Sequence, residues 1–205
     1  MAISTRDQLL LTARTLFAER GFEGVSLSQI ASALGFTKQA LLHHFSTKEK
    51  LYGEVLGQIS DEFAEQLRSA RDATADPRAR FRHSVHSLLG HTPAEVTRTR
   101  LLMRELLDNH RRAETAEKWY LKPFLEDLAA MLKAVPAWSD APDASVRAHV
   151  YLILGALNYY AISGPTLKNI YGDQGFRALE QAFPESLWTL VDDLLERSHP
   201  PNGEL

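Results

Sequence analysis

Residues 27–45, LSQIASALGFTKQALLHHF, have the apolar periodicity of a helix, but Gly35 interrupts them. Ser26 followed by Gln29 is the pattern of a capping box, which begins a helix. Gly35 can end that helix because glycine adopts the left-handed conformation without steric cost, and Thr37 can cap the next one. The sequence therefore predicts two short helices joined by a glycine turn, which is a helix-turn-helix.

Further start and stop signals predict helices on both sides of this pair. Ser4 can cap a first helix that ends at Gly21, and Ser46 with Glu49 forms a second capping box. Two glycine-rich turns are expected in residues 163–175. Beyond residue 46 the predicted helices cover about 47–71, a segment starting at Asp76-Pro77, 92–110, 114–135 with a kink at Pro123, 143–163 and 179–197.

No segment alternates like a strand, so the predicted fold class is all-α. Residues 1–50 carry six basic and four acidic side chains, a net charge of +2, whereas the whole chain carries -3. The asymmetry indicates a basic module joined to a larger acidic one, although random scatter of surface charge gives the same totals. We expect residues 1–50 to form a DNA-binding head of three helices that includes the helix-turn-helix, and residues 51–205 to form a helical ligand-binding and dimerisation domain.

Composition excludes several classes of protein. The chain has no cysteine, which excludes disulfides and thiolate chemistry and fits the cytoplasm. The longest apolar run, residues 150–162, is too short to span a bilayer, so no membrane partner is expected. Because no nucleophile elbow, dinucleotide fingerprint or phosphate loop is present, we expect neither an enzyme nor a cofactor.

The second helix of the pair carries side chains suited to DNA. At roughly 100° of rotation per residue, Gln39 and His43 lie opposite the inward-facing Leu41. Glutamine can form a bidentate contact with adenine, and histidine can donate to or accept from a base edge or a phosphate. Lys38 and Lys48 stand at two helix N-termini, where their charge adds to free backbone N–H groups for binding phosphate.

Residues 17–56 resemble the DNA-binding domain of the TetR family of one-component repressors. The resemblance rests on the Phe-x-x-x-Gly-Phe motif at 17–22, the Ile-Ala-x-x-x-Gly motif at 30–35 and the Phe-x-x-Lys-Glu-x-Leu motif at 45–51. It implies a transcriptional regulator, by the family's commoner mode a repressor. We expect it to leave a palindromic operator when a small apolar effector binds.

The resemblance also implies phosphate contacts at Thr37 and Lys48. Leu42 stands where the family very often has a tyrosine, so it supplies only the apolar part of that contact, and His43 and His44 are candidates to replace the rest. The complete predicted DNA-binding set is Ser26, Ser28, Thr37, Lys38, Gln39, Ala40, Leu42, His43, His44 and Lys48.

Large apolar and aromatic side chains beside an asparagine are typical of effector cavities between helices, although core packing explains most such residues. The predicted lining is Leu102, Leu106, Trp119, Phe124, Tyr151, Leu154 and Asn158. A metal site and an anion site are also conceivable, but each has a simpler structural explanation. His83 and His86, with His91 and Glu105, are explained better as scattered surface side chains than as a metal site, and Arg111-Arg112 better as a solvated helix end than as an anion site.

The last two predicted helices are apolar on nearly every face, and such helices must be covered on all sides. We therefore expect a homodimer in which they form a four-helix bundle; the alternative is a monomer that covers both helices itself. The predicted interface residues are Val146, Val150, Ile153, Leu157, Phe183, Leu187, Leu190 and Leu194. The competing function is an all-helical enzyme or small-molecule binding protein that keeps the helix-turn-helix for structure only.

Overall fold

The structure is a computed structural model that describes residues 3–90, 92–107 and 120–196. Over these ranges it contains helices and no strand, so the all-α prediction is confirmed. None of the helices described is long and apolar enough to cross a membrane. The helices are α1 Thr5–Arg20, α2 Leu27–Ala33, α3 Lys38–His44, α4 Lys48–Ala73, α5 Pro77–Leu88, α6 Pro93–Leu107, α7 Lys122–Lys133 and α8 Asp143–Glu196, with a 3-10 turn at Pro136–Trp138.

The chain divides into two compact units. The N-terminal unit comprises residues 3–63, 92–107 and 120, and the C-terminal unit comprises residues 64–90 and 121–196. α6 belongs to the N-terminal unit because it packs on α1. The predicted division at residue 50 concerns function and stays a prediction, while the compact units divide the chain by packing.

The core of the N-terminal unit is formed by the inward faces of its helices. Leu9, Phe17, Ile30 and Leu41 are all fully buried, as the period of 3.6 residues predicts for amphipathic helices. Leu101 of α6 is fully buried as well. Since burying one Leu or Phe side chain stabilises the fold by about 1.5–3 kcal/mol, these contacts hold the short helices α2 and α3 in place.

Ion pairs tie three helices of this unit together. Arg14 of α1 binds both carboxylate oxygens of Glu62 in α4, at 2.5 and 3.1 Å. Arg98 of α6 lies 3.4 Å from the same carboxylate and places its guanidinium 4.3 Å from the centroid of the Phe63 ring. Burial lowers the pKa of Arg98, partly offset by Glu62. A buried cation of this kind is costly unless its partners stay in position, so α1, α4 and α6 are coupled.

The C-terminal unit is built from α5, α7 and α8, which pack on one another. Phe81 of α5 and Leu128 of α7 are buried, together with Val150 and Val191 of α8. The indole N–H of Trp138 donates to the backbone carbonyl of Leu194 at 2.9 Å. These contacts cover the inner faces of α8 within a single chain.

The two helices predicted at 143–163 and 179–197 are both present within α8, but they are longer than predicted and meet at one break. Only Gly172, with φ 69° and ψ 175°, leaves helical geometry, so α8 consists of two arms, residues 143–171 and 173–196. The expected glycine-rich turns at 163–175 were therefore wrong except at Gly172. Tertiary packing overrides the local signal of Gly164 and Pro165, because the ring of Tyr160 stacks on Phe183 at 3.8 Å and braces the arms.

Two further helix starts differ from the prediction. α4 is capped by Thr47 and not by Ser46, since the Thr47 hydroxyl accepts from the Lys50 N–H at 3.2 Å. Pro123 does not kink a longer helix. It lies in the first turn of α7, where a missing N–H costs nothing. Residues 114–119 of the helix predicted there, and 108–110 of the preceding one, lie outside the described residues.

Gly172→Ala should destabilise the protein. An alanine at this positive φ and extended ψ costs about 1–3 kcal/mol, because that region is open essentially to glycine alone. The matched control is Gly57→Ala in α4, where the added methyl meets nothing within 4 Å and the unfolded chain loses freedom. That variant should gain about 0.5–1 kcal/mol. Urea unfolding followed by circular dichroism measures both; equal effects would contradict the assigned turn.

Candidate nucleic-acid interface

The break between α2 and α3 is built from three local interactions. The Ser26 N–H donates to the Gln29 side-chain oxygen at 2.7 Å and the Gln29 N–H donates to the Ser26 hydroxyl at 3.2 Å, so the capping box is confirmed. Gly35 has φ 74°, the left-handed conformation expected of the residue that ends α2. The Thr37 hydroxyl accepts from the Ala40 N–H at 3.2 Å and caps α3.

The outer face of α3 is available for a ligand. Leu41 and, just beyond the helix, Phe45 are buried against the rest of the unit. Gln39 and His43 are exposed, as the helical period predicted. Leu42 is 36% exposed and offers an apolar surface on the same short helix. α3 therefore presents amide, imidazole and apolar groups to solvent at once.

All ten predicted DNA-binding residues lie in the N-terminal unit. Ala40 and Lys48 are half-buried, and the others, Ser26, Ser28, Thr37, Lys38, Gln39, Leu42, His43 and His44, are exposed. Four of them share one cleft of about 350 Å³, whose lining residues are Glu23, Gly24, Val25, Ser26, Leu27, Ser28, Gln29, Lys38 and Lys48. The structure thus brings two serine hydroxyls and two ammonium groups together, a donor set suited to phosphate.

Lys48 is held by an aromatic ring that sequence reasoning did not assign to the site. Its Nζ lies 4.1 Å from the centroid of Phe22. In the residue after Lys48, the backbone N–H of Glu49 itself, and then the Thr47 hydroxyl, keep the pKa of the Glu49 carboxyl below its usual value. Glu49 is therefore ionised at neutral pH and adds a negative charge beside the lysine. Phe22 belongs to the quoted Phe-x-x-x-Gly-Phe motif, but its contact with Lys48 exists only in three dimensions.

The predicted effector-lining residues fall in both units. In α6 of the N-terminal unit, Leu102 is buried and Leu106 half-buried. In the C-terminal unit Phe124 is buried, Leu154 and Asn158 are half-buried, and Tyr151 is 59% exposed. Trp119 lies outside the described residues. The effector cavity stays a prediction.

Half of the predicted dimer residues are already buried inside one chain. Val146, Val150, Leu157 and Leu187 are buried within the C-terminal unit. Ile153, Phe183 and Leu194 are half-buried, and Leu190 is 66% exposed. The apolar side chains that face solvent on α8 are a partly different set: Tyr151, Leu152, Tyr159, Ile170, Tyr171 and Leu190.

Three of the four candidate metal ligands, His83, His86 and Glu105, lie in the described part of the chain. His83 and His86 are exposed on α5, and the His86 ring stacks on Trp188 with centroids 5.4 Å apart. Glu105 accepts a hydrogen bond from the Tyr52 hydroxyl at 2.5 Å. Within the part of the chain that is described, no group of three His, Asp or Glu side chains is arranged to hold a metal ion. His91 and Arg111-Arg112 lie outside that part.

Sequence comparison connects this interface to known proteins. Residues 9–55 match the family described as bacterial regulatory proteins, tetR family. The HTH-type transcriptional activator FasR of Mycolicibacterium smegmatis is 37% identical over 82 residues, 40% of this chain and 37% of that protein. The HTH-type transcriptional repressor KstR2 of Mycobacterium tuberculosis is 36% identical over 78 residues, 38% of this chain and 39% of that protein. The chain matches less than two fifths of the length of these relatives.

Solved structures share the fold over most of the chain. The ketosteroid transcriptional regulator KstR2 of Mycobacterium tuberculosis superposes with a TM-score of 0.68 at 18% identity, covering 94% of this chain and 96% of that one. AibR in complex with isovaleryl coenzyme A and operator DNA superposes with a TM-score of 0.58 at 23% identity, covering 77% and 86%. At these identities the likeness concerns the fold alone.

The fold and the exposed α3 define an all-α helix-turn-helix protein. Residues 9–55 carry the sequence pattern of one family of helix-turn-helix proteins. They match the tetR family of bacterial regulatory proteins, so the resemblance drawn from the motifs is confirmed for the N-terminal part of the chain. The relatives are transcriptional regulators and not enzymes, as expected for this chain.

Thr37→Ala should loosen α3. Removing an N-cap hydroxyl costs about 1 kcal/mol, which corresponds to about fivefold faster amide exchange if the helix opens locally. Thr37→Ser keeps the hydroxyl and is the matched control. Hydrogen exchange over residues 38–44, followed by mass spectrometry, measures both variants. Equal protection of α3 in the alanine and serine variants would contradict the capping role.

Proposed function

We propose that this protein is a ligand-responsive transcriptional regulator that binds a palindromic DNA operator as a homodimer. The observation that carries the proposal is the exposed α3, with Gln39 and His43 outward, beside a cleft that contains Lys38 and Lys48. A helix of this kind enters the major groove while lysines and helix N-termini bind the flanking phosphates. The site of action would be the cytoplasm.

Within this proposal the side chains have different tasks. Gln39 would form a bidentate contact with adenine, and His43 would contact a base edge or a phosphate. Leu42 would pack against a thymine methyl, the apolar contact that its exposed side chain permits. The position of the head on the DNA phosphate backbone would be fixed by Lys38, Lys48 and the hydroxyls of Ser26, Ser28 and Thr37. Ala40 and His44 would lie close to the DNA.

A small apolar effector would control DNA binding. AibR, which shares the fold, forms a complex with isovaleryl coenzyme A and operator DNA, which supports control by a ligand but not its apolar character, because coenzyme A is charged. In the C-terminal unit of this chain the effector would bind near the buried Phe124 and the half-buried Leu154 and Asn158. It can shift the equilibrium only by binding one conformation better than the other, and its effect on DNA affinity must equal the effect of DNA on its own affinity.

We propose repression as the direction of control, with the effector releasing the operator. A dimer that occupies a promoter blocks transcription by occupancy alone and needs no further contact. KstR2, similar in sequence and in fold, is named a repressor, whereas FasR is named an activator. Higher transcription from the operator when the effector is added would support repression, and lower transcription would support activation.

Specific reading requires two heads, and α8 offers a surface for dimerisation. Tyr151, Leu152 and Tyr159 are 59–70% exposed along one side of the first arm, and Leu190 is 66% exposed on the second. Large exposed apolar side chains that cluster on a helix mark a surface of association. A second copy of this chain is the partner that we propose, because a dyad would place two α3 helices about 34–36 Å apart, one turn of DNA.

Lys48→Ala should weaken binding to every DNA sequence alike. Removing one phosphate contact should reduce the slope of log affinity against log salt concentration by about 1. Lys50→Ala is the matched control, because Lys50 is an exposed lysine two residues away that does not line the cleft. Fluorescence anisotropy with a random-sequence duplex at several salt concentrations tests this directly. The proposal fails if the wild-type protein does not bind the duplex at low salt, or if both variants behave alike.

Leu190→Glu should turn the dimer into a monomer. A carboxylate placed without a partner in an apolar seam is strongly disfavoured, while Leu190 is exposed enough for the chain itself to fold. Gln181→Glu introduces the same charge at an exposed position about 180° around the same helix and should leave the dimer intact. Light scattering at micromolar concentration gives the mass. A wild-type monomer, or a dimeric Leu190→Glu variant, would contradict the proposed interface.

A further inference from the structure

Lys48 is not a free surface cation. Its ammonium lies over the Phe22 ring, and its side chain lines the cleft together with Ser26 and Lys38. A lysine has a long flexible stem, so a ring that attracts its charge also restricts the positions that this charge visits. The location of Phe22 therefore determines where the Lys48 charge is held before a phosphate arrives.

Phe22 is in turn held by two aromatic rings. Its centroid is 5.9 Å from that of Phe17 and 4.9 Å from that of Tyr52, and Phe17 and Tyr52 meet edge to face at 4.9 Å. Phe17 is fully buried, and Tyr52 is 4% exposed. Phe22 itself is half-buried, and the buried rings of Phe17 and Tyr52 that pack on it limit the positions it can take. A displacement of Tyr52 would therefore displace Phe22.

One hydrogen bond fixes Tyr52 to another helix. Its hydroxyl donates to a carboxylate oxygen of Glu105 in α6 at 2.5 Å, and Glu105 is only 4% exposed. Both side chains are buried, so the hydrogen bond is shielded from water and restricts the orientation of the Tyr52 hydroxyl. The rotamer of Tyr52 is thus set by α6.

Arg104, which precedes Glu105 in α6, fixes the end of α1 from which the chain leads to Phe22. Arg104 donates to the backbone carbonyls of Ala18 and Glu19 at 2.8 and 2.7 Å, in the last turn of α1. These carbonyls lack partners inside the helix and need such a donor. Gly21, which follows, has a positive φ and leads into Phe22. α6 therefore fixes both the chain segment that carries Phe22 and the ring that packs on it.

We propose that the hydrogen bond between Tyr52 and Glu105 is a positioning contact for DNA binding: it holds Phe22, and through Phe22 the charge of Lys48, in place for a phosphate. The proposal rests on the proposed DNA-binding function. Glu105 and Tyr52 act through Lys48 and need not touch DNA themselves. α6, which the sequence assigned to the C-terminal domain, thereby contributes to the DNA affinity of the head.

A double-mutant cycle separates positioning from general destabilisation. Tyr52→Phe keeps the ring and removes the hydroxyl. It should lower affinity for a random-sequence duplex about two- to fivefold, the size expected for the loss of an exposed cation–π contact. In a Lys48→Met background the same change should cause no further loss, because no charge is left to position. Equal losses in both backgrounds, or no loss in the first, would overturn the proposal.

The conservative variant and a measurement without DNA complete the test. Glu105→Gln keeps an acceptor for the tyrosine hydroxyl and should retain affinity, whereas Glu105→Met should behave like Tyr52→Phe. In the free protein, the ring of Phe22 should shift the ε-methylene proton resonances of Lys48 upfield, and Tyr52→Phe should move them towards the values of a free lysine. If wild-type protein bound no duplex, the proposed function would fail, and the resonances alone would decide the positioning contact; unchanged resonances in Tyr52→Phe would overturn it.

Discussion

The reversal of the chain at Gly35 is the constraint on which the N-terminal unit depends. A continuous helix through residues 27–45 would carry Ile30 and Leu41 on one stripe, about 16 Å apart at 1.5 Å per residue, whereas the break lets α2 and α3 pack on each other with both residues buried. The positive φ of Gly35 and the cap at Thr37 redirect the chain within a few residues. The same geometry buries Leu41 and exposes Gln39, so the fold and the candidate DNA-reading surface have one physical origin.

The second requirement is a support that keeps these short helices in position. α2 and α3 have seven residues each, too few to be stable alone. α1 packs on α2, and α2 packs on α3. α6 secures α1 and α4 through the carbonyl contacts of Arg104 and the network around Glu62. The head is therefore a product of residues far apart in the sequence, which is why its compact unit includes α6.

The sequence correctly predicted those helix starts and ends that depend only on residues next to them in the chain. Ser26 and Thr37 begin helices through their own side chains, and Gly35 ends one through its own φ, so these were readable from the sequence. The shift of a cap from Ser46 to Thr47 turns on a single residue, which pattern reading does not resolve. The continuation of α8 past Pro165 depends on packing between its two arms, which local propensity does not contain.

The candidate DNA-binding site also has features that the sequence predicts and features that depend on tertiary contacts. The helical period identified the exposed face of α3, but the ring of Phe22 beneath Lys48 and the link from Tyr52 to Glu105 depend on tertiary contacts. Likewise, the sequence pattern of α8 predicted more apolar surface than one chain could easily cover. It did not predict that Leu187 would be covered within the chain and Leu190 left exposed. Sequence periodicity shows which residues share a face, and only the structure shows what covers that face.

The central claim, that a pair of α3 helices reads DNA sequence, is tested most directly by selecting binding sites from a pool of random duplexes with the full chain. The account predicts enrichment of one palindromic site whose half-sites are about one helical turn apart. It also predicts that Gln39→Ala relaxes the preference at a single base pair in each half, at a cost of about 1–3 kcal/mol for the original base. A pool that stays random after repeated selection, or an unchanged preference at every position in the variant, would contradict it.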